Sequence, residues 1–136
     1  MPRIVVAASL VDSEPTLRAG LELGERFRAQ VNVVTVTPVR RLASARAWIE
    51  DLEAAEQRLE TQTRAFVDAG YRFATLPIRV TVLEGSLISV LVRHVETSPT
   101  RLLVVGAGAQ RPWWALGSSV ATAIARAVSC PVYLAR

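Results

Sequence analysis

Lysine is absent from this 136-residue sequence, and all 16 basic side chains are arginines. They run from Arg3 to Arg136 and are interleaved with acids along the middle of the chain, so the net charge of +4 is not gathered on one face. Nucleic-acid binding needs a clustered basic surface, and the sequence offers none. Cysteine is equally scarce. The single Cys130 excludes an internal disulfide, and its setting between an alanine-rich helical stretch and Pro131 puts no second metal ligand nearby. It reads as small core filler rather than a reactive thiol. Long apolar runs are missing too. The longest, such as Leu102 to Val105, are of strand length and far below the ~20 residues that a membrane helix requires. The opening Met-Pro-Arg-Ile-Val-Val enters a strand-like run at once, without the basic, apolar and cleavage regions of a secretory signal. A cytoplasmic protein without membrane insertion is the expectation. Histidine occurs once, as His94 beside Arg93, with no acid–base partner or metal ligand at useful spacing, and it is expected to be solvated. No Ser-His-Asp set, catalytic carboxylate pair or metal cluster can be assembled from the sequence, so catalysis has little to stand on.

What is present is a regular alternation of strand and helix patterns. The length suits one domain over residues 1–136, with a core that needs neither disulfides nor metal. Ile4 to Ala8 is an apolar run of the kind found in a strand covered on both faces. Ser13 is a candidate N-cap, with Glu14 and Pro15 in the first turn of a helix. Leu17, Leu21, Gly24 and Phe27 then recur at helical spacing to about Arg28. Val31 to Thr37 is dominated by β-branched residues and is closed by Pro38, giving a second strand. From Arg41 to Ala69 the positions Leu42, Ala45, Ile49, Leu52, Ala55, Leu59 and Phe66 mark a long amphipathic helix with its charged face in water, ending at Gly70. Ile78 to Leu83 is a third strand, and Ile88, Leu91, Val92 and Val95 mark a third helix before Ser98-Pro99. Leu102 to Val105 is a fourth strand. Beyond a loop from Gly106 to Leu116, Val120, Ala123, Ile124 and Ala127 share one helix face, and Pro131 to Leu134 is a last strand. Such alternation with uniformly apolar strands implies right-handed crossovers and a mostly parallel sheet with helices on both faces. Ligands in such sheets bind beyond the carboxyl ends of the strands, where strand order reverses.

Three stretches carry a family resemblance. Asp12-Ser13-Glu14-Pro15-Thr16 and Leu83-Glu84-Gly85 are similar to the opening and the Glu-Gly pair of the universal stress proteins. Val104-Val105-Gly106, Gly117-Ser118-Ser119 and Ser129-Cys130-Pro131-Val132 resemble that family's Val-Val-Gly, Gly-Ser-Val-Ser and Cys-Pro-Val at closely similar spacing. The resemblance implies a flavodoxin-like, doubly wound, five-stranded parallel sheet in the order 3-2-1-4-5, with four helices on two faces. It also implies, in many members, an adenine nucleotide such as ATP or AMP bound across the ends of the first and fourth strands. Those members share Gly-x2-Gly-x9-Gly-[Ser/Thr].

This sequence departs from that pattern. Gly106 is followed by Ala107 and Gly108, the second motif position is Ala109, and seven residues rather than nine precede Gly117. Glycines let backbone N–H groups approach phosphate oxygens where a Cβ would intrude, and a helix N-terminus adds partial positive charge. Gly117, Ser118 and Ser119 keep the helix end, while the cradle before it is altered. The aspartate that relatives place after the first strand is also displaced. Ser9 or Val11 aligns with it, depending on the anchor, and Asp12 lies one position beyond. Arg111, the only cation in the loop, could pair with a phosphate or stay solvated. Trp113 and Trp114 could stack on a base, cover a partner or pack on the sheet.

The residues leave several readings open. One is a stress-adaptation binding module that holds adenine nucleotide through Gly106, Gly108, Ala109, Arg111, Gly117, Ser118, Ser119, Ser9 and Asp12. Another has lost the nucleotide and acts through protein contacts. A slow nucleotide phosphohydrolase would need a Mg²⁺ ligand, for which Asp12 is the visible candidate, and a regulatory domain docking on a transporter or kinase is also compatible. The last strand, Pro131 to Ala135, is expected at an open sheet edge. Only Pro131 guards it, so a homodimer paired through this strand is expected.

Overall fold

A computed structural model describes residues 2–8, 14–37, 44–70, 76–106 and 123–135. The aliphatic runs become strands β1 (Arg3–Ala7), β2 (Gln30–Thr37), β3 (Ile78–Glu84), β4 (Leu102–Gly106) and β5 (Val132–Ala135). Between them lie helices α1 (Glu14–Phe27), α2 (Ala45–Gly70) and α3 (Leu87–Glu96), and residues 123–127 belong to a fourth, α4. All strand pairs are parallel and the order is β3-β2-β1-β4-β5. In the central strand, Ile4 sits opposite Val31 on one side and Leu102 on the other.

Because β1 is covered on both faces, its side chains divide between two cores. Ile4 and Val6 pack with Leu17 and Leu21 of α1 and Leu59 and Val67 of α2. Val5 packs with Leu91 and Val95 of α3 and with Ile124 and Val128 from the α4 side. The division follows from chain direction. The chain first progresses from β1 outward to β3, then returns to β4 and continues to β5, and with a fixed crossover hand this reversal sends α3 and α4 to the opposite face.

Helix α1 lies unusually close to the sheet. A Cβ on Gly20 would stand 2.3 Å from Val6 Cγ2, and one on Gly24 would stand 2.4 Å from Val31 Cγ2. These two glycines, one turn apart, set the depth at which α1 packs. The helix ends at Arg28, whose φ of 50° is left-handed. The Ala29 N–H donates to Gly24 O at 2.9 Å and the Arg28 N–H donates to Glu25 O at 3.3 Å, the two bonds of a Schellman stop.

Helix α2 has the amphipathic pattern expected of it, but its apolar face is unevenly covered. Its first buried residue is Leu59, followed by Thr63 and Val67, while residues 44–58 are all half-buried or exposed. The apolar periodicity is real, but only the second half of the helix lies on the sheet.

Candidate functional site

The strand order places its reversal between β1 and β4, and their carboxyl ends form one rim of the sheet. The last register pair is Ala7 with Val105, and Ala8 and Gly106 are the next residues on the two strands. Ala8 is held by its N–H donating to Val34 O at 2.8 Å. Gly106 is still in register with Ala135 of β5, in extended backbone that any residue could adopt. A turn therefore does not require glycine there. Among the described residues the rim is built from Ala7, Ala8, Gly106 and Ala135, all small.

Of the residues read from the sequence as candidates, Gly106 lies at this rim. Ser9, Asp12, Gly108, Ala109, Arg111, Gly117, Ser118 and Ser119 lie outside the described residues, as do Ser13, Trp113 and Trp114. The flank of the same sheet end is well defined. Thr37 Oγ1 donates to Leu83 O at 3.4 Å, and the Gly85 N–H donates to Thr37 O at 2.9 Å. Gly85 takes φ 137°, a conformation that L side chains rarely adopt, and a Cβ there would meet Val90 Cγ2 at 2.5 Å. Both facts explain why the Glu84-Gly85 pair ends in glycine. Among the described residues, no group of three or more His, Cys, Asp or Glu side chains is placed to hold a metal.

The universal stress protein family model matches residues 1–136. The chain belongs to that family. Its structure is similar to that of the universal stress protein UspA from Lactobacillus plantarum, with a TM-score of 0.77 at 16% identity, over 99% of this chain and 97% of that one. It is also similar to a universal stress protein in complex with cAMP, with a TM-score of 0.68 at 19% identity, over 99% and 97% of the two chains. A third likeness is to the universal stress protein from Archaeoglobus fulgidus in complex with dAMP, with a TM-score of 0.63 at 18% identity, over 100% and 98%. At these identities the likeness is one of fold. No curated protein matches the sequence.

At the opposite end of the sheet, this universal stress protein carries a polar network that the sequence reading missed. His94 is not a solvated side chain. It lies three residues after the fully buried Leu91, a spacing that turns it toward the sheet, where its Nε2 meets Asn32 Oδ1 at 2.6 Å. Asn32 Nδ2 donates to Arg79 O at 3.2 Å and to Thr81 Oγ1 at 3.0 Å. Its Oδ1 is therefore the acceptor, and the hydrogen of the neutral imidazole sits on Nε2. Burial, and then the charge of Arg3, hold the His94 pKa below its ordinary value.

Arg3 closes the network. Its Nη2 donates to the carbonyls of His94, Val95 and Ser98 at 3.2, 3.3 and 3.3 Å and to Thr100 Oγ1 at 2.7 Å. A guanidinium at the carboxyl end of α3 satisfies orphan carbonyls and complements the helix dipole. Burial lowers its pKa. Nearby, the Glu96 carboxylate accepts from the Ser129 N–H at 2.7 Å and from its hydroxyl, tying the end of α3 to the segment before β5. Cys130 packs half-buried against the α3 and α4 core, and burial pushes its thiol pKa up, away from the reactive thiolate. The sequence signal for the network was Asn32, an amide inside a run of β-branched residues.

Proposed function

We propose that this universal stress protein is a cytoplasmic binding module of stress adaptation that takes an adenosine monophosphate in the crevice between β1 and β4. The observation that carries this reading is the rim of Ala7, Ala8, Gly106 and Ala135 at the strand-order reversal, the place where open parallel sheets bind ligands. Two structures of like fold hold cAMP and dAMP, each with a single phosphate. The sequence supports the same choice of ligand. Gly117-Ser118-Ser119 match the Gly-[Ser/Thr] of the family motif, at which a helix end would take one phosphate, whereas a loop sequence two residues short, with Ala109 at the second motif position, offers fewer N–H donors for a longer polyphosphate.

The module works as a homodimer. β5 is the outer strand beside β4, and Tyr133 and Leu134 are 47% and 45% exposed, an apolar edge that a two-fold copy of itself would cover. No described helix is long and apolar enough to cross a membrane.

The test is thermal unfolding with and without nucleotide. A ligand at a hundredfold excess over its Kd stabilises the folded state by about 2.7 kcal/mol. AMP should raise the melting temperature, ATP-Mg²⁺ should raise it no further, and Gly106→Val, which fills the rim, should abolish the rise while leaving the protein folded. No rise with millimolar AMP would exclude the site.

A further inference from the structure

We infer that the first half of α2 is a docking surface for a basic amphipathic helix of another protein. This inference is independent of the nucleotide site. In residues 44–58 the apolar stripe continues the line of Leu59, Thr63 and Val67, yet none of it is buried. Trp48 and Ile49 are 39% and 46% exposed, and Leu87, three residues along the chain from Glu84, is 40% exposed. Exposed apolar groups scattered singly need no explanation, but a helical stripe with Trp48 and Ile49 exposed and Leu52 and Ala55 only half-buried marks an interaction site.

The indole of Trp48 is also held in place. Its Nε1–H donates to Glu84 Oε2 at 2.7 Å, bridging the start of α2 to the last residue of β3. That bond fixes the ring, which stays 39% exposed, so little conformational freedom remains to be lost when a partner binds.

Charge identifies the occupant. Between residues 45 and 60 the acids Glu50, Asp51, Glu53, Glu56 and Glu60 outnumber Arg46 and Arg58, in a chain whose net charge is +4. Glu53 and Glu56 fall four and seven residues after Ile49, and Asp51 falls three after Trp48, so acids border the stripe on both sides. An apolar strip with a fixed tryptophan and acidic borders is complementary to a helix whose apolar face is flanked by arginine or lysine. The aromatic face itself attracts a guanidinium.

The probe is a fluorescein-labelled peptide of leucine and arginine patterned as one amphipathic helix, beside a control in which glutamate replaces arginine. Binding is read by fluorescence anisotropy on the intact protein. The basic peptide should bind with a Kd on the order of 10 µM and the acidic one at least about tenfold more weakly. Ile49→Ser and the double change Glu53→Lys with Glu56→Lys should each weaken the basic peptide by about tenfold or more. All these side chains are exposed, so the variants should melt as the wild type does. Trp48→Phe keeps the ring but removes the bond to Glu84 and should lose less affinity than Trp48→Ser. Equal binding of both peptides, no binding at millimolar concentration, or variants that bind as the wild type does would overturn the proposal. A wild-type oligomer that Ile49→Ser dissociates would assign the surface to a second copy instead. Sedimentation with phosphatidylcholine vesicles that Ile49→Ser abolishes would assign it to a membrane.

Discussion

Replacing Gly20 by alanine tests the depth at which α1 packs against β1. The new Cβ would stand 2.3 Å from Val6 Cγ2 and 3.0 Å from Val6 Cγ1, whereas carbon atoms in contact sit about 3.5–4.0 Å apart. The helix or Val6 must therefore move by more than about 1 Å. Val6 has little room to do so, since it is fully buried in the central strand, and Gly24 holds the same helix against Val31 one turn later. Overpacking of this kind costs about 1–3 kcal/mol. Alanine recovers about 1 kcal/mol of helix propensity relative to glycine, so we expect a net loss of up to about 2 kcal/mol. Urea unfolding at 25 °C, followed by circular dichroism, measures it. The decisive comparison is the double variant with Val6→Ala, which removes the two nearest methyl groups. The pair should be coupled favourably by about 1 kcal/mol or more, because the alanine methyl at position 20 enters space that the valine vacated. A Gly20→Ala protein clearly more stable than the wild type, or strictly additive effects of the two changes, would refute the close approach.

Other expected outcomes follow from the same structure. Arg28→Gly should stabilise the protein by about 1 kcal/mol in the same urea assay, because arginine holds a left-handed φ of 50° at the end of α1. Since the folded pKa of His94 is lowered, its stabilising contribution is complete above the unfolded value of about 6.5 and is lost as pH falls from there through the folded pKa. Urea midpoints should thus drop as the pH falls below about 6.5 in the wild type, and this drop should be smaller in His94→Gln, whose amide can still donate to Asn32. Tyr133→Lys places a charge on the exposed edge of β5, and light scattering at micromolar concentration should report a monomer where we propose a wild-type dimer. A variant that stays fully dimeric would place the interface elsewhere.

The sheet was legible because β1 and β4 are apolar at successive positions, and a strand buried on both faces needs no alternation. Helix periodicity was less complete as a guide. In α3 it singled out Leu91 and Val95 but passed over His94, which shares their side of the helix at a spacing of three and finds its partner only when β2 is brought beneath it. In α2 it located the apolar stripe from Ile49 to Phe66 correctly, yet periodicity says which face is apolar and not whether anything covers it. Gly24 was readable as part of the packed face of α1. That Gly20 and Gly24 exist to admit Val6 and Val31 depends on the depth of the helix against the sheet, which no one-dimensional pattern carries. Nothing about Arg28 marks it for a left-handed conformation, since the Schellman bonds and not the side chain impose it. The candidate site was legible as a loop motif and a fold position. The fold position is now defined by Ala7, Ala8 and Gly106, while the rest of the motif, from Gly108 to Ser119, lies outside the described residues.

The most direct test of the account is an amide-resolved nuclear magnetic resonance titration of the protein with AMP, and separately with ATP-Mg²⁺. Adenosine monophosphate bound at the strand-order reversal should shift the backbone amides of Ala7, Ala8, Val105 and Gly106 in a saturable way. It should leave those of Arg3, Asn32 and His94, at the far end of the sheet, unmoved, and ATP-Mg²⁺ should bind no more tightly. Shifts confined to other parts of the molecule, no shifts with millimolar AMP, or ATP-Mg²⁺ binding more than about tenfold tighter than AMP would contradict a monophosphate site between β1 and β4.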